Sequence, residues 1–217
     1  MSNRTKTKAP PPRKRLSAQA RREVIERAAT EVFAERGYHH ASIEEIARRS
    51  GVSPPIVYDH FESKLDLHKR LLERHYADLR GVWREHLAGD DPAEQRIPRA
   101  FDAWFAYVET HPYAWKMLFS ETTGDHEVAA IHRQVREQSR AAVLPLFARE
   151  SGAERVAGSA EPEAMEMAWE VIRAVLQGLA LWWYDHRQVP REQVVATAMN
   201  AIWIGFDRVR DGERWEP

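Results

Sequence analysis

Apolar residues recur at intervals of three and four along almost the whole chain, and no stretch alternates as a half-buried strand would. The first repeat, Ile25, Ala28, Ala29, Val32 and Phe33, predicts a helix of about five turns, with Gly37 placed for a left-handed C-terminal cap. A second helix starts at Ser42. Glu45 follows at capping-box spacing, Ile43, Ile46 and Ala47 form the apolar stripe, and Gly51 ends it. Ser53 is then placed to cap a third helix opening with Pro54 and Pro55, tolerated because first-turn amides have no partner inside a helix. Ser63, with Asp66 at the third helical position, caps a fourth that carries Leu67, Leu71, Leu72 and Tyr76 on to about Leu87.

After the break at Gly89-Asp90-Asp91-Pro92 the spacing predicts five further helices. Phe101, Trp104, Phe105 and Val108 share a face of the fifth, which His111-Pro112 ends; the sixth runs from Tyr113 to Ser120. The seventh, from about Asp125 to Arg149, carries Ile131, Val135, Leu146 and Phe147. The eighth, from about Pro162 to Asp185, carries Trp169, Ile172, Leu176, Leu179, Ala180 and Trp183. The ninth follows Pro190 with Val194, Ala198, Ile202, Phe206 and Val209. A polar link, Ser151 to Glu161, separates the seventh from the eighth. The predicted fold is all-α with about nine helices.

Composition narrows the class. With 217 residues and 43% hydrophobic content the chain can bury a proper core. The absence of cysteine excludes disulfides and thiolate metal sites and suits a reducing cytosol, so a cytoplasmic protein is expected. The most apolar stretch, Ala174 to Tyr184, is too short to span a bilayer, and the polar N-terminus lacks the apolar core of a signal peptide. Net charge is −1, yet 13 Lys+Arg face 9 Asp+Glu before Leu67, and 19 face 24 from Leu67 on, giving +4 and −5. Residues 1–22 hold Arg4, Lys6, Lys8, Arg13, Lys14, Arg15, Arg21 and Arg22 and no acid. Such an arm either meets a polyanion or is a solvated tail. Residues 1–16, with Pro10-Pro11-Pro12 and little to bury, are expected to be flexible.

The stretch from Ser42 to Lys64 has the outline of a helix-turn-helix, two short helices joined at Gly51. The second, Ser53 to His60, is about two turns long, enough to bring three or four side chains to base edges. Its N-terminal amides and the Ser63 end of the fourth helix point partial positive charge outward, toward where phosphates would sit. Tyr58, His60 and Lys64 add donors on one flank. Taken singly, Tyr58 reads as a packing residue against Phe61 and the first helix, Lys64 as an ordinary surface lysine, and Asp59 as either an acceptor for a cytosine amino group or a solvent-facing acid. The adjacent His39-His40 have no third ligand nearby in sequence and read as surface groups, not metal ligands.

The segment resembles the N-terminal domain of the TetR family of transcriptional regulators. The residues that carry the likeness are Ala28-Ala29, Phe33, Gly37-Tyr38, Ser42-Ile43, Ile46-Ala47, Gly51-Val52-Ser53, Tyr58, His60-Phe61, Ser63-Lys64 and Leu67. The resemblance implies a homodimeric repressor with a small DNA-binding domain and a larger helical effector domain. It places Ser42, Tyr58 and Lys64 at phosphates and Ser53, Pro54, Pro55 and Asp59 facing bases. The division expected is a basic arm 1–16, a helix-turn-helix domain 17–62 and an effector-binding and dimerisation domain 63–217. Pro54-Pro55-Ile56 departs from the small or polar residues frequent there, so thymine methyl contacts and DNA shape should carry more of the reading than bidentate bonds.

All eight tryptophans lie after residue 80. Singly they read as core. Together they suggest a lipophilic cavity between helices, lined by Trp104, Phe105, Trp115, Phe119, Ile131, Val135, Trp169 and Ile172, with His132 and Gln177 as polar contacts, for a lipophilic, aromatic or cationic effector. Trp182-Trp183-Tyr184 makes the eighth helix apolar on more than one face. The last two helices are therefore the expected dimer interface, two copies reading a pseudo-palindromic operator. An enzyme is disfavoured by the motif inventory, which lacks Gly-x-Ser-x-Gly, a phosphate-cradling glycine loop and His-Glu-x-x-His. No cofactor or metal is implied. The rival reading is an effector-independent architectural DNA binder that uses its basic arm.

Overall fold

The computed structural model describes residues 17–119, 126–148 and 162–204. The basic arm, the 151–161 link, Phe206, Val209 and Trp215 lie outside them. Regular structure among the described residues is helical throughout, as predicted: α1 Ala18–His40, α2 Ile43–Ser50, α3 Pro54–Tyr58, α4 Lys64–Leu87, α5 Ala93–Thr110, α6 Pro112–Phe119, α7 His126–Ala148, α8 Pro162–Asp185 and α9 Arg191–Met199. A π-helical turn, Asn200–Ile204, continues α9.

Local chemistry sets the ends. Ser17, Ser42 and Ser63 accept the N–H of Ala20, Glu45 and Asp66 at 3.1, 3.1 and 3.0 Å. The capping box at Ser42 forms only on the serine side, because the Glu45 carboxylate turns to Arg49 at 2.8 Å, which also holds Glu35 at 2.6 Å. That pairing lowers the Glu35 pKa and raises that of Arg49. Ser53 occupies the N-cap of α3 but makes no side-chain cap bond. The expected cap fails because the first two helical residues are prolines without an N–H, and Ile56 N–H bonds the Ser53 carbonyl at 3.0 Å. α3 is also shorter than expected, ending at Tyr58 where Asp59 and His60 turn back onto the Pro55 and Val57 carbonyls.

Among the described residues two glycines have positive φ. Gly51 (φ 70, ψ 28) is the left-handed cap of α2. Gly37 (φ 71, ψ 169) breaks α1 in an extended mirror-image conformation, not the left-handed cap expected, and the last turn resumes beyond it.

α4 runs through the centre, packing against α1 and against α5, α6 and α7. Leu67, Leu71 and Leu72 are at most 1% exposed, and each such side chain contributes about 2 kcal/mol by burial. One core therefore runs from Ile25 and Phe33 in α1 through α4 to Phe101, Phe105 and Trp183.

Three histidines sit inside that core. Thr30 gives its hydroxyl hydrogen to the Glu26 carbonyl at 2.9 Å, so at 3.2 Å His75 Nε2–H must donate to Thr30 and its Nδ1 is left to accept from Tyr107 O–H at 3.4 Å. His68 and His132 meet Nε2 to Nε2 at 3.1 Å. Burial pushes His68 down to about 3, helped by the nearby His132 and Lys64 charges. It also pushes His75 and His132 down to about 4, helped by Arg74 and Arg136 respectively.

Two outcomes are expected. No atom crowds a Cβ at either glycine, so backbone conformation alone decides the cost of alanine. Gly51→Ala should lose about 1 kcal/mol and Gly37→Ala, in a region other residues barely visit, about 2–3 kcal/mol in urea unfolding. Equal losses would refute the difference. For pH, the folded imidazoles titrate below the ordinary 6.5, so the unfolded chain binds more protons between about pH 6.5 and 4. Stability is complete above that window and lost on acidification, by up to roughly 1.4 kcal/mol per pH unit for each group. Thermal unfolding at pH 7, 6 and 5 should show a falling midpoint, with the slope shallower in His68→Phe. A flat midpoint would contradict it.

Candidate functional site

α2 packs on α1 and α3 on α2, with Ile43, Ile46, Ala47 and Val57 all buried, and Phe61 closes the unit with the Arg22 guanidinium 5.0 Å from its ring. Because Val57 and Phe61 take the inward positions, the residues between and before them face outward. Ser53, Pro55, Tyr58 and Asp59 are exposed, Pro54 and His60 half-buried. Tyr58 is 53% exposed and so does not pack against Phe61, whose ring neighbour is His60 at 6.4 Å. A large aromatic presented to solvent beside the exposed Pro55 and half-buried Pro54 rings is an apolar, donor-poor ridge with one phenol on its flank.

Lys64 reaches inward: Nζ donates to the carbonyls of Tyr38 and Ala41 at 3.0 and 3.1 Å and lies 4.4 Å from the centre of the Tyr38 ring. It ties the start of α4 to the α1–α2 connection, with one ammonium hydrogen left over. Ser42 likewise spends its hydroxyl as an acceptor on α2, keeping its own O–H to give. Arg48, 74% exposed on α2 with Glu45 3.9 Å away, is a basic group that the sequence reading passed over. His39 and His40 are exposed, and no cluster of three metal-ligating residues occurs among the described residues.

A cavity of about 480 Å³ opens between α4, α5, α6, α7 and α8. Tyr76, Leu79, Trp83, Trp104, Phe119, Val143, Trp169 and Leu176 make its apolar walls, and Arg136, Glu137, Arg140, Glu166, Glu170 and Arg173 its charged side. Arg140 bridges α7 and α8 through Glu137 at 2.6 Å and Glu166 at 2.8 Å. Arg173 holds Glu170 at 2.6 Å and donates to the Gln177 side-chain oxygen at 2.6 Å. Arg136, exposed where it lines the cavity, makes no ion pair among the described residues.

Of the residues expected to line a cavity, Trp104, Phe119, Trp169 and Gln177 do so. Phe105 and Trp115 are packed solid, Phe105 edge-on to Trp104 at 5.0 Å and to Trp183 at 6.0 Å, Trp115 against Phe119 at 5.7 Å. Ile172 is buried away from it. Ile131, His132 and Val135 lie on α7 before the lining residues, His132 meeting α4 at His68. The sequence reading missed the α4 wall, Tyr76, Leu79 and Trp83, the charged residues and Leu176 of α8, and on α7, besides Glu137, the row Arg136, Ser139, Arg140 and Val143. Their spacing of three and four was readable as one face of α7, but three of the four are polar and resemble a solvated face.

A second cavity, about 450 Å³, lies between α1, α4 and the α5–α6 corner, and polar residues, among them Glu26, Thr30, Arg74 and His75, are most of those that line it. Glu26 is held there by Arg22 at 3.0 Å and by Arg74. No helix among the described residues is long and apolar enough to cross a membrane.

The chain matches two family models, "Bacterial regulatory proteins, tetR family" over residues 25–71 and "Tetracyclin repressor-like, C-terminal domain" over residues 93–205. It is 31% identical over 196 residues to the HTH-type transcriptional activator FasR of Mycolicibacterium smegmatis, covering 90% of this chain and 87% of the relative. To the HTH-type transcriptional repressor BepR of Brucella suis it is 29% identical over 177 residues, 79% of this chain and 84% of that one. Among solved structures, the regulator FadR of Bacillus subtilis in complex with stearoyl-CoA superposes with a TM-score of 0.67 at 16% identity, over 88% of this chain and 99% of that chain. A TetR-like regulator from Rhodococcus superposes with a TM-score of 0.71 at 18% identity, over 89% and 99%. The chain belongs to the TetR family of bacterial transcriptional regulators.

Proposed function

We propose that this regulator binds a pseudo-palindromic operator as a homodimer and is released from it by an amphipathic, largely lipophilic effector. The observation that carries the reading is the pairing, within one continuous core, of an outward-facing Ser53–Asp59 edge with an apolar cavity that α4 connects to it. In this reading Ser42, Tyr58, His60 and Lys64 hold phosphates, while Ser53, Pro54, Pro55 and Asp59 face bases. Residues 1–16 act as a basic arm, 17–62 as the reader and 63–217 as the effector and dimerisation unit, with α4 the link between the last two.

The cavity suits a ligand with a long apolar portion and an anionic group set against Arg136. Stearoyl-CoA, bound by the structural neighbour from Bacillus subtilis, has that chemistry and is the probe of choice. For the dimer, α8 leaves Met167, Val171, Leu181 and Trp182 from 47% to 65% exposed along one side, with Ala174 and Gly178 between them. An apolar stripe of that length on a helix at the molecular surface is suited to its own copy about a two-fold axis.

Repression follows if the operator overlaps the promoter, which is the outcome we infer. Activation is the second reading, and the name of the Mycolicibacterium smegmatis relative favours it.

Selection of bound genomic fragments, then binding at several salt concentrations, tests the whole. A specificity ratio near one would favour an architectural binder. Lys64→Ala should weaken binding to all fragments alike and lower the salt slope by about one. Affinity lost at unchanged slope would confine Lys64 to its carbonyl contacts. Stearoyl-CoA should quench tryptophan fluorescence and release DNA, and neither should occur in Arg136→Glu. Trp182→Glu should give a monomer in sedimentation with operator binding lost; a dimer of wild-type affinity would move the interface elsewhere.

A further inference from the structure

His68 and His132 share one hydrogen. Each ring is buried, the Nε2 atoms are 3.1 Å apart, and two neutral imidazoles in that geometry are bound only when one donates its Nε2–H to the other's lone pair. The bond crosses the seam between α4 and α7 at a particular place. On α7, His132 precedes Arg136, on the charged side of the cavity, by one turn, which puts both on one side of the helix. On α4, His68 follows Lys64 by one turn in the same way. Lys64 holds the Tyr38 and Ala41 carbonyls, and His68 itself lies edge-on to Phe33 at 4.7 Å and 5.1 Å from Tyr38. Ser42, the N-cap of α2, is the next residue after Ala41.

The other buried residues of α7, Val128, Val135 and Val143, are apolar, and apolar contacts tolerate a small slide. A nitrogen-to-nitrogen hydrogen bond does not, since it weakens steeply with length and misalignment. Its loss is also costly here, because His68 Nδ1 already has no partner, so that His68 would be left with both ring nitrogens unsatisfied in the core. The seam thus has a made and a broken arrangement with little between.

We propose that the His68–His132 hydrogen bond is the contact through which filling the cavity repositions the Tyr38–Ser42 connection, and with it α2 and α3. The two histidines are positioning residues that touch neither effector nor DNA. The inference rests on the reading of the cavity as the effector site.

Ser139→Phe tests it in the full chain without any ligand, since Ser139 lines the cavity on α7 and a phenyl ring there occupies part of it. Amide hydrogen exchange of residues 38–47 is measured for Ser139→Phe in three backgrounds. With His132 intact, the substitution should change those rates by at least about fivefold. With His132→Leu the change should vanish, and with His132→Gln, whose side-chain amide can donate to His68, it should return. Exchange in α9 serves as the control, because general destabilisation moves both regions together. Should His132→Leu not fold, His68→Phe, which keeps the ring contacts to Phe33 and Tyr38, takes its place. An equal response with and without the hydrogen bond, or none with His132 intact, overturns the proposal. Stearoyl-CoA titration runs separately: its failure would remove that ligand chemistry and leave this cycle standing.

Discussion

Helix α4 has to be buried on two fronts at once, and the rest of the molecule is arranged around that demand. Near its start Leu67 and Leu71 complete the core of α1, and farther on Leu79, Trp83 and Leu87 complete that of the larger bundle. A 24-residue helix buried at both ends is a rigid rod, about 36 Å long at 1.5 Å per residue. Movement of either end is therefore felt at the other. The polar groups along it, His68, His75 and the Lys64 ammonium, each bond an element other than α4, so the rod is pinned by directional contacts as well as packed.

That arrangement gives the regulator's two ends different characters. The Ser53–Asp59 edge is short, proline-rich and exposed, suited to shape and methyl contacts more than to a lattice of hydrogen bonds. The cavity end is lined by aromatics from four helices, with charges gathered on α7 and α8. Between them lie buried imidazoles that stay neutral at ordinary pH, which keeps their hydrogen bonds intact where an imidazolium would be expelled.

Much of the fold was legible because helix signals are local. Ser42, Ser63 and Gly51 announce their helix ends within four residues, and the apolar spacing found every α-helix among the described residues. The Ser53 cap was misjudged: the two prolines after it have no N–H, and the first amide available, that of Ile56, goes to the Ser53 carbonyl and not to its side chain. Gly37 was legible as a break but not in its ψ, which depends on how Tyr38 and Lys64 meet across 26 residues. The cavity was half legible. Periodicity shows that a face of α7 is apolar, but not that Val135 faces the packed core while Arg136 and Ser139 line the hollow. Contacts such as Thr30 with His75, 45 residues apart, leave no trace in a single sequence.

The central claim is that occupying the cavity changes how two reader units are set in a dimer. Because the chain has no cysteine, a spin label at Glu44→Cys on the exposed side of α2 is unique to that position. Pulsed dipolar spectroscopy of the labelled protein, free and with stearoyl-CoA, measures the separation directly. The account predicts one inter-label distance for a symmetric dimer, displaced by a few ångströms on adding stearoyl-CoA. An unchanged distance distribution with the ligand bound, or no dipolar coupling at all, would contradict it.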